Sequence, residues 1–109
     1  MTGSAPQTFY RVVLTDPPTE VDFMSNQAKG KPRRAIEGEE EWRGISVFTR
    51  LERAREIAHK YPQLGSFIAE LRIPPDAPIG HDQPSWSGHC NLWGTPEELG
   101  KCVTSVAPA

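Results

Sequence analysis

The chain has few cysteines, no long hydrophobic run and little net charge, and each shortage argues against a class of protein. Cys90 and Cys102 are its two cysteines, too few for a disulfide scaffold. We expect two free thiols in a reducing cytoplasm, rather than one bridge. The longest apolar runs, such as VVL at 12–14 and FIA at 67–69, are far too short to cross a bilayer. A net charge of −2 gives no basic field to attract nucleic acid or anionic lipid.

Common ligand-binding and targeting motifs are also missing from the sequence. There is no G-x-G-x-x-G, no P-loop, no H-E-x-x-H and no C-x-x-C. The spacing of His81, His89, Cys90 and Cys102 matches no usual zinc pattern, so no metal is expected. The first residues, MTGSAPQTF, lack the basic and apolar regions of a signal peptide. We therefore expect a cytoplasmic protein that does not enter a membrane.

Length and proline content set the organisation of the chain. Its 109 residues fit one domain, 1–109, which can bury about two-thirds of its unfolded surface. Eleven prolines, about twice the usual frequency, divide the sequence. Because proline is excluded from helix interiors and central strands, regular elements must lie between these prolines.

Hydrophobic periodicity in these intervals predicts four strands and one main helix. Thr49 and Glu52 have the spacing of a capping box at the start of that helix. The predicted elements are strands Phe9–Val13, Ile45–Phe48, Phe67–Ile73 and Cys102–Val106, and helix Arg50–Tyr61. The predicted core consists of Phe9, Leu51, Ala54, Ile57, Phe67, Leu71, Ile73 and Val106.

The remaining segments give weaker predictions. A short helix is predicted over Glu20–Ala28, capped by Asp16 or Thr19, and HCNLWG is a weak strand followed by a turn or single helical turn at TPEEL. The charged segment KGKPRRAIEGEEE is interpreted as a solvated loop, and Asp76–Gly88 as a long loop. This order predicts an α+β fold with short helices and a split, mostly antiparallel sheet.

Arg11 is the first candidate functional residue, because it lies inside an otherwise apolar strand. It shares one side of that strand with Phe9 and Val13. A guanidinium in this position needs water, an acid or a bound anion. The structural interpretation is a salt bridge to Glu70 or a position on an edge strand. The functional interpretation is an arginine that holds a diphosphate or a ribose.

Other candidates are less distinctive. Ser46 follows Gly44 in the strand before the main helix, where a half-exposed serine is the ordinary interpretation. Tryptophans are most often core residues, but Trp86 and Trp93 flank a loop rich in proline and glycine, where a planar ligand could stack.

Several of these segments, in this order, resemble the ADP-ribosyltransferase fold in its small, poly(ADP-ribose)-polymerase-like or RNA 2′-phosphotransferase-like form. FYRVV is similar to the family's first strand, which carries an NAD-contacting His or Arg at the position of Arg11. RGISVF and AREIA resemble its second motif, with Ser46 at the position of the motif's Tyr or Ser. GSFIAELRIP, with Glu70, resembles the next strand, and HCNLWGTPEEL with CVTSV resembles the last pair.

The resemblance departs from the family at its third motif. Transferases of this family usually carry a Glu on the penultimate strand, whereas this strand reads GHCNLW. The resemblance therefore implies that His89 or Asn91 on the strand, or Glu97 in the following turn, completes the site. It further implies that Arg11 holds the ribose or diphosphate, that Ser46 positions a ribose or nicotinamide group, and that Tyr10 or Trp93 stacks on the ring.

The function implied by this resemblance is ADP-ribosyl transfer or NAD hydrolysis, with NAD as the substrate. A small toxin or a modification factor acting on a protein acceptor fits that description. The alternative is a non-catalytic module on the same fold that binds a nucleotide or a protein partner. An acid that reaches Arg11 and Ser46 across the cleft would distinguish the enzyme from the module.

Overall fold

An antiparallel sheet forms the centre of the computed structural model, which describes residues 6–33 and 38–109. Within these ranges the sheet has six strands in the order β4-β5-β2-β1-β3-β6. Every pair of neighbouring strands is antiparallel. The strands are β1 (Gln7–Val13), β2 (Ile45–Phe48), β3 (Phe67–Ile73), β4 (Gly80–His81), β5 (His89–Trp93) and β6 (Val103–Pro108).

The helices in the described ranges are short and lie between the strands. They are α1 (Glu39–Arg43), α2 (Leu51–Lys60) and α3 (Pro96–Gly100), with 3₁₀ helices at Glu20–Phe23 and Pro62–Leu64. None of these helices is long and apolar enough to cross a membrane. The architecture is therefore α+β, as predicted.

Hydrophobic side chains cover both faces of the sheet, because successive residues of a strand point to opposite sides. The larger cluster includes Val13, Leu71 and Leu92, which pack with Phe23 of the first 3₁₀ helix and Leu99 of α3. We call this side the first face. On the second face, α2 covers a smaller cluster made by Phe48, Ala54, Ala58 and Ile68.

The contact between β1 and β2 is the weak point of the sheet. β1 pairs with β3 from Gln7 to Val13, and β2 pairs with β5 along its whole length. By contrast, β1 and β2 pair only at Tyr10 and Phe48. The sheet thus consists of two three-stranded ladders, β4-β5-β2 and β1-β3-β6, joined at one position.

The main elements confirm the sequence-based predictions closely. Strands β2 and β3 have the predicted limits, and β1 begins two residues earlier than expected. The last strand is shifted toward the C-terminus relative to the predicted Cys102–Val106. Helix α2 is one residue shorter at each end than the predicted Arg50–Tyr61, and HCNLW and PEELG form β5 and α3.

The predicted helix over Glu20–Ala28 is wrong beyond Phe23. Thr19 is its N-cap, but the segment continues as turns after four residues. Ser25 Oγ accepts a hydrogen bond from the Ala28 N–H at 3.1 Å. Serine side chains compete with the helical backbone in this way, so the turn replaces the helix.

Three smaller predictions are also corrected. The predicted loop at 29–41 ends in α1, whereas its residues 34–37 lie outside the described ranges. The predicted loop Asp76–Gly88 contains the short strand β4. The capping box at Thr49 is absent, because Arg50 is the N-cap of α2 and the Thr49 N–H donates to the Gly88 carbonyl at 2.9 Å.

The predicted core is confirmed at the centre of the sheet and on the inner side of α2. Of the predicted residues, Phe9, Ala54, Leu71 and Ile73 are buried, whereas Leu51, Ile57, Phe67 and Val106 are half-buried. Ile68, on the opposite side of β3 from Leu71, is also buried, under α2. Helix α2 and the first 3₁₀ helix cover opposite sides of the sheet, so both faces carry core residues.

Candidate functional site

A cleft of about 710 Å³ opens beside the junction of β1 and β2. It brings together four of the residues selected from the sequence: Arg11, Ser46, His89 and Asn91. The turns after the first 3₁₀ helix form one wall, and Ile57 of α2 lies on another. We call this depression the cleft.

Arg11 is held in the cleft by two backbone carbonyls. Its Nε donates to the Asp22 carbonyl at 2.7 Å, and its Nη1 donates to the Ser46 carbonyl at 2.7 Å. Strands β1 and β2 separate beyond Tyr10 and Phe48. The guanidinium therefore donates to the Ser46 carbonyl of β2 at a place where a backbone N–H of the neighbouring strand would otherwise lie. Arg11 therefore bridges the gap between the two ladders.

The charge of Arg11 is retained at neutral pH despite this environment. Burial lowers the pKa of Arg11 to about 10, and the nearby Asp22 carboxylate acts in the opposite direction. The structural interpretation made from the sequence is wrong in both forms. Glu70 Oε1 accepts a hydrogen bond from Thr104 Oγ1 instead, and β1 is an interior strand.

Asp22 organises the loop that supports Arg11. Its carboxylate is 5% exposed and accepts hydrogen bonds from the Leu14 N–H at 2.8 Å and the Thr19 N–H at 2.9 Å. These bonds fix the position of the Asp22 carbonyl that receives the Arg11 guanidinium. Sequence analysis did not select Asp22, although an acid three residues after Thr19 is a signal for helix capping.

Ser46 and His89 form a hydrogen-bonded pair on the second face. Their Oγ and Nε2 atoms lie 3.1 Å apart, across strands β2 and β5. The ring of Phe48 lies 5.6 Å from the His89 ring, centroid to centroid, and limits its movement. A serine hydroxyl and an imidazole at this distance can share a proton or bind the hydroxyls of a sugar.

Asn91 is 7% exposed and is fixed by Asp82, a residue that sequence analysis did not select. Asn91 Nδ2 donates to Asp82 Oδ2 at 3.0 Å, and the Asn91 N–H donates to Oδ1 at 2.8 Å. Burial acts to raise the pKa of Asp82, but these hydrogen bonds and the charge of His89 outweigh it, so the pKa lies below its ordinary value. Asp82 follows β4, and the unpredicted pairing of β4 with β5 brings it to Asn91.

The other predicted site residues lie elsewhere. Glu97, on α3, lines a separate groove of about 550 Å³ with Pro17, Phe23 and Val103, and its carboxylate is 3.6 Å from Lys101 Nζ. We call this depression the groove. Tyr10 packs against the second-face cluster, and Trp93 lies at the end of β5 opposite Gly80. The structure therefore does not bring Glu97, Tyr10 or Trp93 into the lining of the cleft.

Two acids line the cleft in the described part of the chain, Asp22 and Glu41. Both oxygens of Asp22 already accept backbone N–H groups. Glu41, on α1, is exposed. The sequence prediction had placed this region in a solvated loop, so Glu41 was missed as a candidate.

Comparisons with protein-family models, curated proteins and solved structures found no match to this chain. The function is therefore argued from the cleft alone.

Proposed function

We propose that the cleft binds NAD or a related ADP-ribose nucleotide, and that the protein is an ADP-ribosyltransferase-like enzyme. The observation that carries this proposal is the fixed guanidinium of Arg11 beside the Ser46–His89 pair. A half-buried, preorganised arginine suits a phosphate or a sugar hydroxyl, because little conformational entropy is lost when the ligand binds. A serine–imidazole pair next to it suits the hydroxyls of a ribose.

The reaction follows from the chemistry of the glycosidic bond. Cleavage between nicotinamide and ribose develops positive charge on the sugar, and a nearby carboxylate stabilises that charge. Strand β5 supplies His89 and Asn91 but no acid. We assign the carboxylate role to Glu41, the acid of the lining that does not hold backbone N–H groups through both oxygens.

The rate expected for such a site is low. His89 and Asn91 can bind ribose hydroxyls, but neither supplies the negative charge with which a carboxylate stabilises a developing cation. Glu41 is exposed, so water screens its charge. We therefore propose slow or acceptor-dependent turnover of NAD, as in a small toxin or modification factor with a protein acceptor.

The free thiols of Cys90 and Cys102 suit a reducing, cytoplasmic setting.

A second candidate function is a non-catalytic module that binds a nucleotide or a protein partner in the same cleft. One observation favours it: in the described residues, no carboxylate hydrogen-bonds to Ser46 Oγ or to the His89 ring. A site of this kind would bind the nucleotide without breaking it.

Two measurements test the proposal and separate it from the alternative. NAD and ADP-ribose should raise the melting temperature, because a ligand that binds only the folded state stabilises it. NAD consumption should fall on His89→Ala, Asn91→Ala and Glu41→Gln, and should persist in Glu97→Gln. Tight binding without turnover would favour the module, whereas rapid turnover that none of these changes affects would place the active site elsewhere.

A further inference from the structure

Two lysines that the proposed reaction does not use line the cleft together with Arg11. Lys29 and Lys31 lie in the turn that follows the first 3₁₀ helix. We propose that Arg11, Lys29 and Lys31 form a binding site for the diphosphate of a ligand. The site rests on the proposed function in placing the ligand in the cleft, and it adds Lys29 and Lys31 to Arg11 and specifies the diphosphate as the group bound.

The turn that carries the lysines is fixed by hydrogen bonds. The Lys29 N–H donates to the Ser25 carbonyl at 3.0 Å, and the Lys31 N–H donates to the Asn26 carbonyl at 2.9 Å. Gly30, between them, has a φ of 76°, which glycine adopts without strain. The turn that carries both lysines therefore has a defined backbone conformation. One residue, Gly30, separates the two lysines along the chain.

Helix α1 attaches this turn to the rest of the molecule. Trp42 Nε1 donates to the Lys31 carbonyl at 2.7 Å, and the Gln27 N–H donates to the Trp42 carbonyl at 3.1 Å. Trp42 thus supports the turn from the side of α1, which also carries Glu41. This wall of the cleft is held at two points, and it faces the bridging guanidinium of Arg11.

The three cations outnumber the two acids, Asp22 and Glu41, that line the cleft in the described part of the chain. Neither Lys29 nor Lys31 forms an ion pair among the residues that the structure describes. Burial, followed by the charges of Lys31 and Arg11, lowers the pKa of Lys29, and the Asp22 carboxylate only partly opposes this. The charge of Asp22 offsets only part of this repulsion, so an anion in the cleft would relieve the repulsion that remains among the cations.

The class of ligand follows from the number of cationic groups that line the cleft. A lone carboxylate would meet one guanidinium well, but it would leave two ammonium groups unpaired. A diphosphate carries several acceptor oxygens over a longer span, so it can contact the guanidinium and the lysines together. We therefore expect inorganic pyrophosphate to bind more tightly than orthophosphate or acetate.

Calorimetric titration of the full chain with inorganic pyrophosphate tests this site. Lys29→Ala and Lys31→Ala should each weaken binding about tenfold, since each removes one charge-assisted contact. Lys101→Ala is the matched control: it removes the same charge from α3, and it should change the affinity by less than about twofold. Thermal melts of each variant would show that it is folded.

Each outcome supports or overturns the proposal. If Lys101→Ala weakens pyrophosphate binding as much as Lys29→Ala does, the affinity depends on the net charge of the protein and the proposed site is wrong. An affinity for pyrophosphate no higher than for orthophosphate would also overturn it. Suppose that pyrophosphate binds, that the lysine variants no longer bind it, and that NAD does not bind. The diphosphate site then stands and the NAD proposal fails. If NAD binds equally well to the lysine variants, the diphosphate site is wrong and the NAD proposal stands.

Discussion

The cleft and the groove differ in chemistry although they have similar volumes. The cleft, at the junction of β1 and β2, is lined by polar groups and by the cations Arg11, Lys29 and Lys31, which outnumber its acids, Asp22 and Glu41. The groove, between α3 and the first 3₁₀ helix, is lined mainly by proline and other apolar side chains, with acids Glu20 and Glu97 at its rim. An anionic ligand is attracted to the first and repelled by the second.

Their structural origins explain this difference. The groove lies where two short helices pack over the first face, so its walls are continuous with the hydrophobic core. The cleft lies where two strands part, so backbone groups of β2 need partners and polar side chains supply them. Packing accounts for the groove, whereas the polar contents of the cleft suggest a ligand.

The largest effect on stability is expected in α3, the helix that borders the groove. Leu99 is fully buried in the first-face cluster, so Leu99→Ala should lower the free energy of unfolding by about 3 kcal/mol, through lost burial and a cavity. Chemical denaturation measures this loss. The NAD-induced stabilisation should remain at temperatures where the variant is folded. A loss of ligand binding in the folded variant would contradict the separation of groove from cleft.

A change at Arg11 should affect both stability and binding. Arg11→Ala removes two hydrogen bonds to backbone carbonyls, so we expect a loss of about 2 kcal/mol in the free energy of unfolding. It should also abolish the melting-temperature shift produced by NAD. Arg72→Ala, on the exposed side of β3, is the control and should have neither effect. Arg11→Lys keeps the charge but cannot span both carbonyls, and it separates the two roles if the alanine variant does not fold.

A smaller effect is expected at Asp82. Asp82→Asn weakens the contacts with Asn91, so the free energy of unfolding at pH 7 should fall by about 1 kcal/mol. The folded-state pKa of Asp82 lies below its ordinary value. Its stabilising contribution is therefore complete above that ordinary value, and it is lost as the pH falls through the lowered pKa. Urea denaturation between pH 7 and about pH 2.5 should show the free energies of unfolding of the two proteins converging in acid. A difference that stays constant with pH would contradict this assignment.

The smallest effect should come from Glu97. It is exposed and pairs only loosely with Lys101, so Glu97→Gln should change the free energy of unfolding by less than about 0.5 kcal/mol. NAD binding and consumption should be unchanged within error. Glu41→Gln is the same substitution in the cleft, and it should reduce consumption. Equal losses in both variants would mean that the two depressions do not differ in function.

The strands and the main helix were predictable because their signal is local. The alternation in Phe67–Ile73 and the helical spacing in Leu51–Lys60 reflect burial on one side of a single element. Ser46, His89 and Asn91 were selected from the sequence, and the pairing of β2 with β5 brings them together. Alternation within each strand was enough to place them on one face.

The supporting residues could not be found in this way. Asp22 and Asp82 act through backbone N–H groups that lie in other segments, and no spacing in the sequence reports such contacts. Glu97 was misplaced because its distance along the chain from β5 is short, whereas α3 turns toward the first face. The short β4 was missed because two residues carry no periodicity.

The junction of the two ladders also has a consequence for the rate of folding. Strand β1 pairs with β3, and β2 with β5, across long stretches of chain, whereas the contact between β1 and β2 is one pair of residues. Almost no sheet can therefore form from neighbouring strands alone, and loop-closure entropy must be overcome before either ladder is stabilised. Helix α2 is the main element that can form early. We therefore expect folding to be slower than that of a helical bundle of this size.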